Sequence, residues 1–120
     1  MPVKNWQLKT MTFTELDDLL GQTGRRTLAS RLVFTLADAL DNNLQGINLD
    51  EFEVQSGYVR TNIRAVASML REHGVIDIYY YDVNSDDEAS AMSQQSPRGR
   101  WSKQHYRLAN SVKTLLKRNP

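Results

Sequence analysis

Residues 47–81 read INLDEFEVQSGYVRTNIRAVASMLREHGVIDIYYY, and their order decides the fold. Asn48-Leu49-Asp50-Glu51 has the form of a capping box and predicts a short helix that buries Leu49, Phe52 and in part Val54. Its acids fall in the first turn, where the helix dipole favours them. Ser56-Gly57 makes a tight break. The spacing of Val59, Ile63, Val66 and Leu70 (i, i+4, i+7, i+11) then predicts a second helix from about Tyr58 to Glu72 with those four residues facing a core. Turning about 100° per residue puts Thr61, Arg64, Ala65 and Ser68 on the opposite side, flanked by Arg60 and Arg71. His73-Gly74 is a stop with glycine as left-handed cap. Val75 to Tyr81 is β-branched and aromatic, as a strand requires.

Working outward, Thr12-Phe13-Thr14-Glu15 is a second capping box, opening a short helix that ends near Gly21. Gln22-Thr23-Gly24 links it to a helix from about Thr27 to Asp41. That helix carries Leu28, Leu32, Leu36, Ala39 and Leu40 on one stripe, with Val33, Phe34 and Ala37 off it. A helix apolar on two sides needs two covers. The second is either the N-terminal helix, through Phe13, Leu16, Leu19 and Leu20, or a symmetric partner chain.

Residues 82–99 read as a long polar loop. Arg100 to Leu108 (RWSKQHYRL) alternates in character and should return antiparallel to the first strand. Asn110-Ser111 can cap a last helix with Val112, Leu115 and Leu116 on one side and Lys113, Lys117 and Arg118 on the other. The fold class expected is mainly α with a small β-hairpin (α+β). Residues 1–24 form an N-terminal segment, 25–109 the central domain, and 110–120 a basic C-terminal helix.

Composition narrows the function. There is no cysteine, which excludes disulfides, thiolate metal sites and cysteine nucleophiles. The N-terminal MPVKNWQLKT lacks the apolar core of a signal peptide, and no apolar run approaches the roughly 18 residues needed to span a bilayer, so a cytoplasmic protein is expected. The net charge is only +1, but it is unevenly spread. Asp38, Asp41, Asp50, Glu51 and Glu53 run without a basic residue among them. From Arg98 onward, Arg98, Arg100, Lys103, Arg107, Lys113, Lys117 and Arg118 run without an acid. Such a basic side can dock on a polyanion; it is otherwise a solvated face. His73 and His105 are far apart in sequence with no obvious carboxylate partner, and the sequence holds neither a phosphate-binding glycine loop nor an HExxH. The acids at 86–88 lack the ligand spacing of a calcium loop. No enzyme, cofactor, metal or small-molecule ligand is expected.

Arg60, Thr61, Asn62, Arg64 and Ser68 are side chains of the kind that read base edges or phosphates: arginine grips guanine, asparagine grips adenine, and threonine meets the thymine methyl. Tyr58 could donate to a phosphate. Taken alone, such a helix is more often one whose polar face meets water. With the short helix, the turn and the strands around it, residues 27–108 resemble the winged helix-turn-helix domain of bacterial and phage transcription regulators. The resemblance is carried by Leu49, Phe52, Gly57, Val59, Ile63, Val66, Leu70, Gly74 and Ile76. The acidic short helix and a wing that opens with Asp82, Asp86, Asp87 and Glu88 depart from that pattern.

The resemblance implies a sequence-specific binder of double-stranded DNA that regulates transcription, with helix 58–72 in the major groove. Arg98, Arg100 and Lys103 would reach phosphates or the minor groove, and Arg25, Arg26 and Arg31 would add phosphate contacts. Ser96-Pro97-Arg98-Gly99-Arg100 also resembles the core of AT-hook minor-groove binders, with Trp101 where their second proline stands. Tyr79, Tyr80, Tyr81 and Trp101 could stack single-stranded bases, though hairpin aromatics more often pack. A small module gains specificity as a homodimer; the second side of helix 27–41 and the Val112/Leu115/Leu116 stripe are the surfaces for it. The alternatives are a winged-helix adaptor between proteins and a DNA-binding replication or plasmid-maintenance factor.

Overall fold

A computed structural model describes residues 11–82, 92–93 and 102–116. Its elements run α1 (Phe13–Gln22), α2 (Arg26–Asp41), β1 (Ile47–Asn48), α3 (Leu49–Ser56), α4 (Arg60–Glu72), β2 (Ile76–Asp82), β3 (Met92–Ser93), β4 (Ser102–Leu108) and α5 (Asn110–Leu116). The chain is mainly helical with a small antiparallel sheet, an α+β arrangement.

Local chemistry sets the helix ends. Thr12 and Glu15 form the full reciprocal capping box at α1. At α3 the Asn48 side chain accepts from the Glu51 backbone at 2.8 Å, while its amide donates to the Glu51 carboxylate at 2.7 Å. Gly57, at φ 77°, closes α3 in the left-handed conformation. α4 begins two residues later than its apolar spacing predicts. Val59 is its N-cap, in extended backbone, and 62% exposed rather than in the core. Val54 is exposed as well.

The sheet order is β1-β4-β2-β3. β2 and β4 pair from Ile76↔Leu108 to Asp82↔Ser102, as the alternation predicts. The other two strands are not legible in the sequence. β1 pairs with β4 through Ile47↔Tyr106, and β3, inside what reads as a polar loop, pairs with β2 through Tyr80↔Ser93. The segment between β2 and β4 is thus not one uninterrupted wing loop.

One face of the sheet and α1 to α5 enclose a single core. It contains Leu32, Leu36, Phe52, Ile63, Val66, Leu70, Ile76, Tyr106 and Val112, all essentially inaccessible. The second side of α2 is covered from within the chain. Val33 is fully buried, Leu16 and Leu20 of α1 lie in the same core, and only Phe34 stays out, 55% exposed. The α5 stripe, expected as a dimer surface, is spent on the core: Val112 is buried, and Leu115 and Leu116 pack against it. Among the described residues no helix is long and apolar enough to cross a membrane.

Candidate functional site

The α4 face opposite Ile63, Val66, Ala67 and Leu70 is open to solvent. Arg60, Thr61, Arg64, Ala65 and Ser68 are exposed there and, with Gln104 of β4, line a shallow cleft of about 380 Å³. Four of the sequence-predicted contact residues are therefore brought together: Arg60, Thr61, Arg64 and Ser68. Asn62 is half-buried on the flank. Tyr58 precedes the helix; its N–H donates to Ser56 Oγ at 3.2 Å and its side chain packs partly against the core.

Gln104 is the residue sequence reasoning missed. Alternation along β4 places it on the face shared by Tyr106 and Leu108, so a polar residue interrupting that face was the signal. Tyr106 donates its hydroxyl to Gln104 Oε1 at 2.6 Å. Burial pushes the Tyr106 phenol well above its ordinary range, which keeps it a donor. The amide of Gln104 lies 3.5 Å from the Tyr80 hydroxyl. The floor of the cleft is thus braced by a hydrogen-bonded chain that ends in the core.

Charge at the cleft is arranged against expectation. Arg60 does not project freely: its Nη2 reaches Glu53 Oε1 at 2.9 Å and also pairs with Asp50. Lys103 pairs with the second oxygen of Asp50. Lys103 first and Arg60 second hold the Asp50 carboxyl below its usual range, and the two carboxylates in turn raise the Arg60 guanidinium further, Glu53 most. Asp50, which in sequence reads as a first-turn acid in an acidic run, ties the outward face of α4 to the sheet. Arg64 makes no ion pair among the described residues, and so is the cleft's uncommitted cation.

The remaining predicted contacts disperse. Arg26 pairs with Asp17 at 2.6 Å and also donates to the Asp17 carbonyl, bracing α1 to α2. Arg31 donates to the Gln55 carbonyl at 3.3 Å, bracing α2 to α3. Arg25 is exposed at the start of α2. Arg98, Arg100, Trp101, Lys117, Arg118 and most of 82–99 lie outside the described residues. Of the tyrosines, Tyr80 packs against the core and Tyr79 carries the Arg107 guanidinium 4.6 Å from its ring centre.

The cleft offers guanidinium, hydroxyl and amide donors over a small residue, Ala65, that lets a partner approach closely. Such a set suits an acceptor-rich, anionic surface. No group of three or more His, Cys, Asp or Glu among the described residues could hold a metal ion. No protein-family model matches the chain, and no characterised protein or solved structure is similar enough to count as a match.

Proposed function

We propose that this chain is a winged helix-turn-helix protein that binds double-stranded DNA and acts in transcriptional control in the cytoplasm. α4 enters the major groove, and the strands after it flank the duplex. The observation that carries the reading is the outward face of α4: Thr61, Arg64, Ala65 and Ser68 line one cleft with Gln104 of β4, and the helix is anchored from behind by Ile63, Val66 and Leu70. Its position after a short capped helix and a left-handed glycine turn supports the same reading. A module this small gains specificity by acting as a dimer on a two-fold site. Phe34 is the apolar residue of α2 left for that contact.

The test is fluorescence anisotropy of the chain with duplex DNA across a salt series. Several phosphate contacts give a log–log slope of about −0.9 per contact. Arg64→Glu is the cleanest variant, because Arg64 has no ion pair among the described residues to lose; it should weaken binding about 10- to 100-fold. Absence of binding at low salt refutes the reading, and a monomer both free and on DNA refutes the dimer.

One observation favours a second reading, an adaptor between proteins: Asp50 and Glu53 partly neutralise Arg60 and Lys103 at the face that would meet phosphate. An adaptor would keep its protein partner when Arg60 and Arg64 are both changed to glutamate.

A further inference from the structure

A second cavity shares no residue with the α4 cleft. It measures about 350 Å³ and lies between the end of α2, the 42–46 loop, the end of β4 and α5. Its apolar wall is Leu36, Leu40, Leu44 and Leu108, and its two ionisable lining residues, Arg107 and Lys113, are both cationic. No carboxylate among the described residues lines it. Leu44 stands at this wall 60% exposed, an apolar side chain held out toward solvent.

Arg107 is set for an acceptor that none of the described residues supplies. Its Nε is buried and has no hydrogen-bond partner among the described residues. Asp77 stands directly across the ladder, yet the two form no ion pair. Buried polar atoms are nearly always satisfied, so one left without a partner beside a cavity points to what the cavity takes. The site is also preformed. Gly46, at φ 119°, brings the loop so close that a Cβ there would meet the Tyr106 carbonyl at 2.1 Å and Arg107 Cγ at 3.0 Å. The loop therefore fixes the stem of Arg107, while Tyr79 supports its guanidinium.

We infer that this cavity binds a small amphipathic carboxylate, its hydrocarbon body against the four leucines and its carboxylate on Arg107 and Lys113. Arginine binds a carboxylate through two parallel N–H donors, and lysine adds a point charge. The volume lies near the lower end of the ~300–1,000 Å³ of ligand pockets, which suits a medium-chain acid rather than a nucleotide.

Isothermal titration of the full chain with octanoate tests this, with octylammonium and acetate as probes lacking the charge or the body. Octanoate should bind one to one with a Kd of about 1 mM or tighter, and the other two at least about tenfold more weakly. Lys113→Met and Arg107→Met should each weaken octanoate about tenfold. Leu44→Glu, at an exposed position that leaves the core intact, should do the same by repelling the anion. A circular-dichroism melt checks that each variant folds. Octanoate that fails to bind up to about 10 mM, octylammonium that binds equally well, or folded Leu44→Glu and Lys113→Met variants that bind octanoate unchanged would each overturn the assignment.

Discussion

Replacing Asp50 by asparagine and Glu53 by glutamine should strengthen DNA binding while weakening the fold. The substitutions are close to isosteric, and their amide oxygens still accept from Arg60, but the charge is gone. Three pairs are affected: Arg60–Asp50, Arg60–Glu53 and Lys103–Asp50. The side chains are 35–48% exposed, so each pair carries the ~0.2–1 kcal/mol of a solvent-screened surface contact. Together they hold about 1–2 kcal/mol that a phosphate must displace to engage Arg60 and Lys103. Released, that amounts to roughly 5- to 30-fold in affinity. Two freed cations should also steepen the salt dependence by about 0.9 each, so the gain is largest at low salt. Thermal stability should fall, because Asp50 also loses its place at the positive end of α3. The Asp50 contribution has a pH signature: with its folded value depressed, it is complete above about pH 4 and is lost as pH falls through that lower value. Anisotropy with duplex DNA at about 50 mM salt decides the matter. A folded double variant that binds DNA no better than the parent would refute the idea that these carboxylates compete with phosphate.

Three further outcomes are expected. Gly46→Ala should cost about 2–4 kcal/mol in chemical denaturation, since its Cβ would collide with backbone at a positive φ, whereas Gly57→Ala, with open space around it, should cost only about 1–2 kcal/mol. His105 is held mainly by burial below its ordinary value, so the folded state resists its protonation; stability should decline as pH falls through about 6.5, and a His105→Gln variant should show a smaller decline between pH 7 and 5. Val112→Asp should unfold the protein, or lower its melting point by many degrees, through burial of an unpaired charge in the core; a melting point within a few degrees of the parent's would return α5 to the surface.

Much of this architecture is legible in the chain because its signals are local. Capping residues at Thr12 and Asn48, the leucine stripe of α2 and the apolar spacing of Ile63, Val66 and Leu70 each report on neighbours within a few residues. Periodicity misplaces Val59, because a residue just outside a helix can keep the helical spacing while its backbone is extended and its side chain points to water. β1 and β3 are two residues each, and what makes them strands is a partner elsewhere, Tyr106 for Ile47 and Tyr80 for Ser93. The same distance hides the site's electrostatics. Thr61, Arg64 and Ser68 are read from one helix, but the hold on Arg60 needs Asp50 from α3, and that of Lys103 on Asp50 crosses 53 residues. The leucine and arginine cavity gathers four separate segments, none of which carries a motif.

The place of β4 within the sheet has a consequence for how the protein is made. β4 lies between β1 and β2, and it supplies Tyr106 and Leu108 to the core just before α5 adds Val112. Until these residues leave the ribosome, β1 has no strand to pair with and β2 has only β3, so the helices already synthesised lack the central strand that joins the sheet over them. Up to that point the nascent segment is a set of amphipathic helices beside a β2–β3 pair, with exposed apolar faces, the state in which chaperones and proteases compete for it. A premature stop or a nick before residue 102 should leave a fragment that is degraded rather than one that merely lacks a strand.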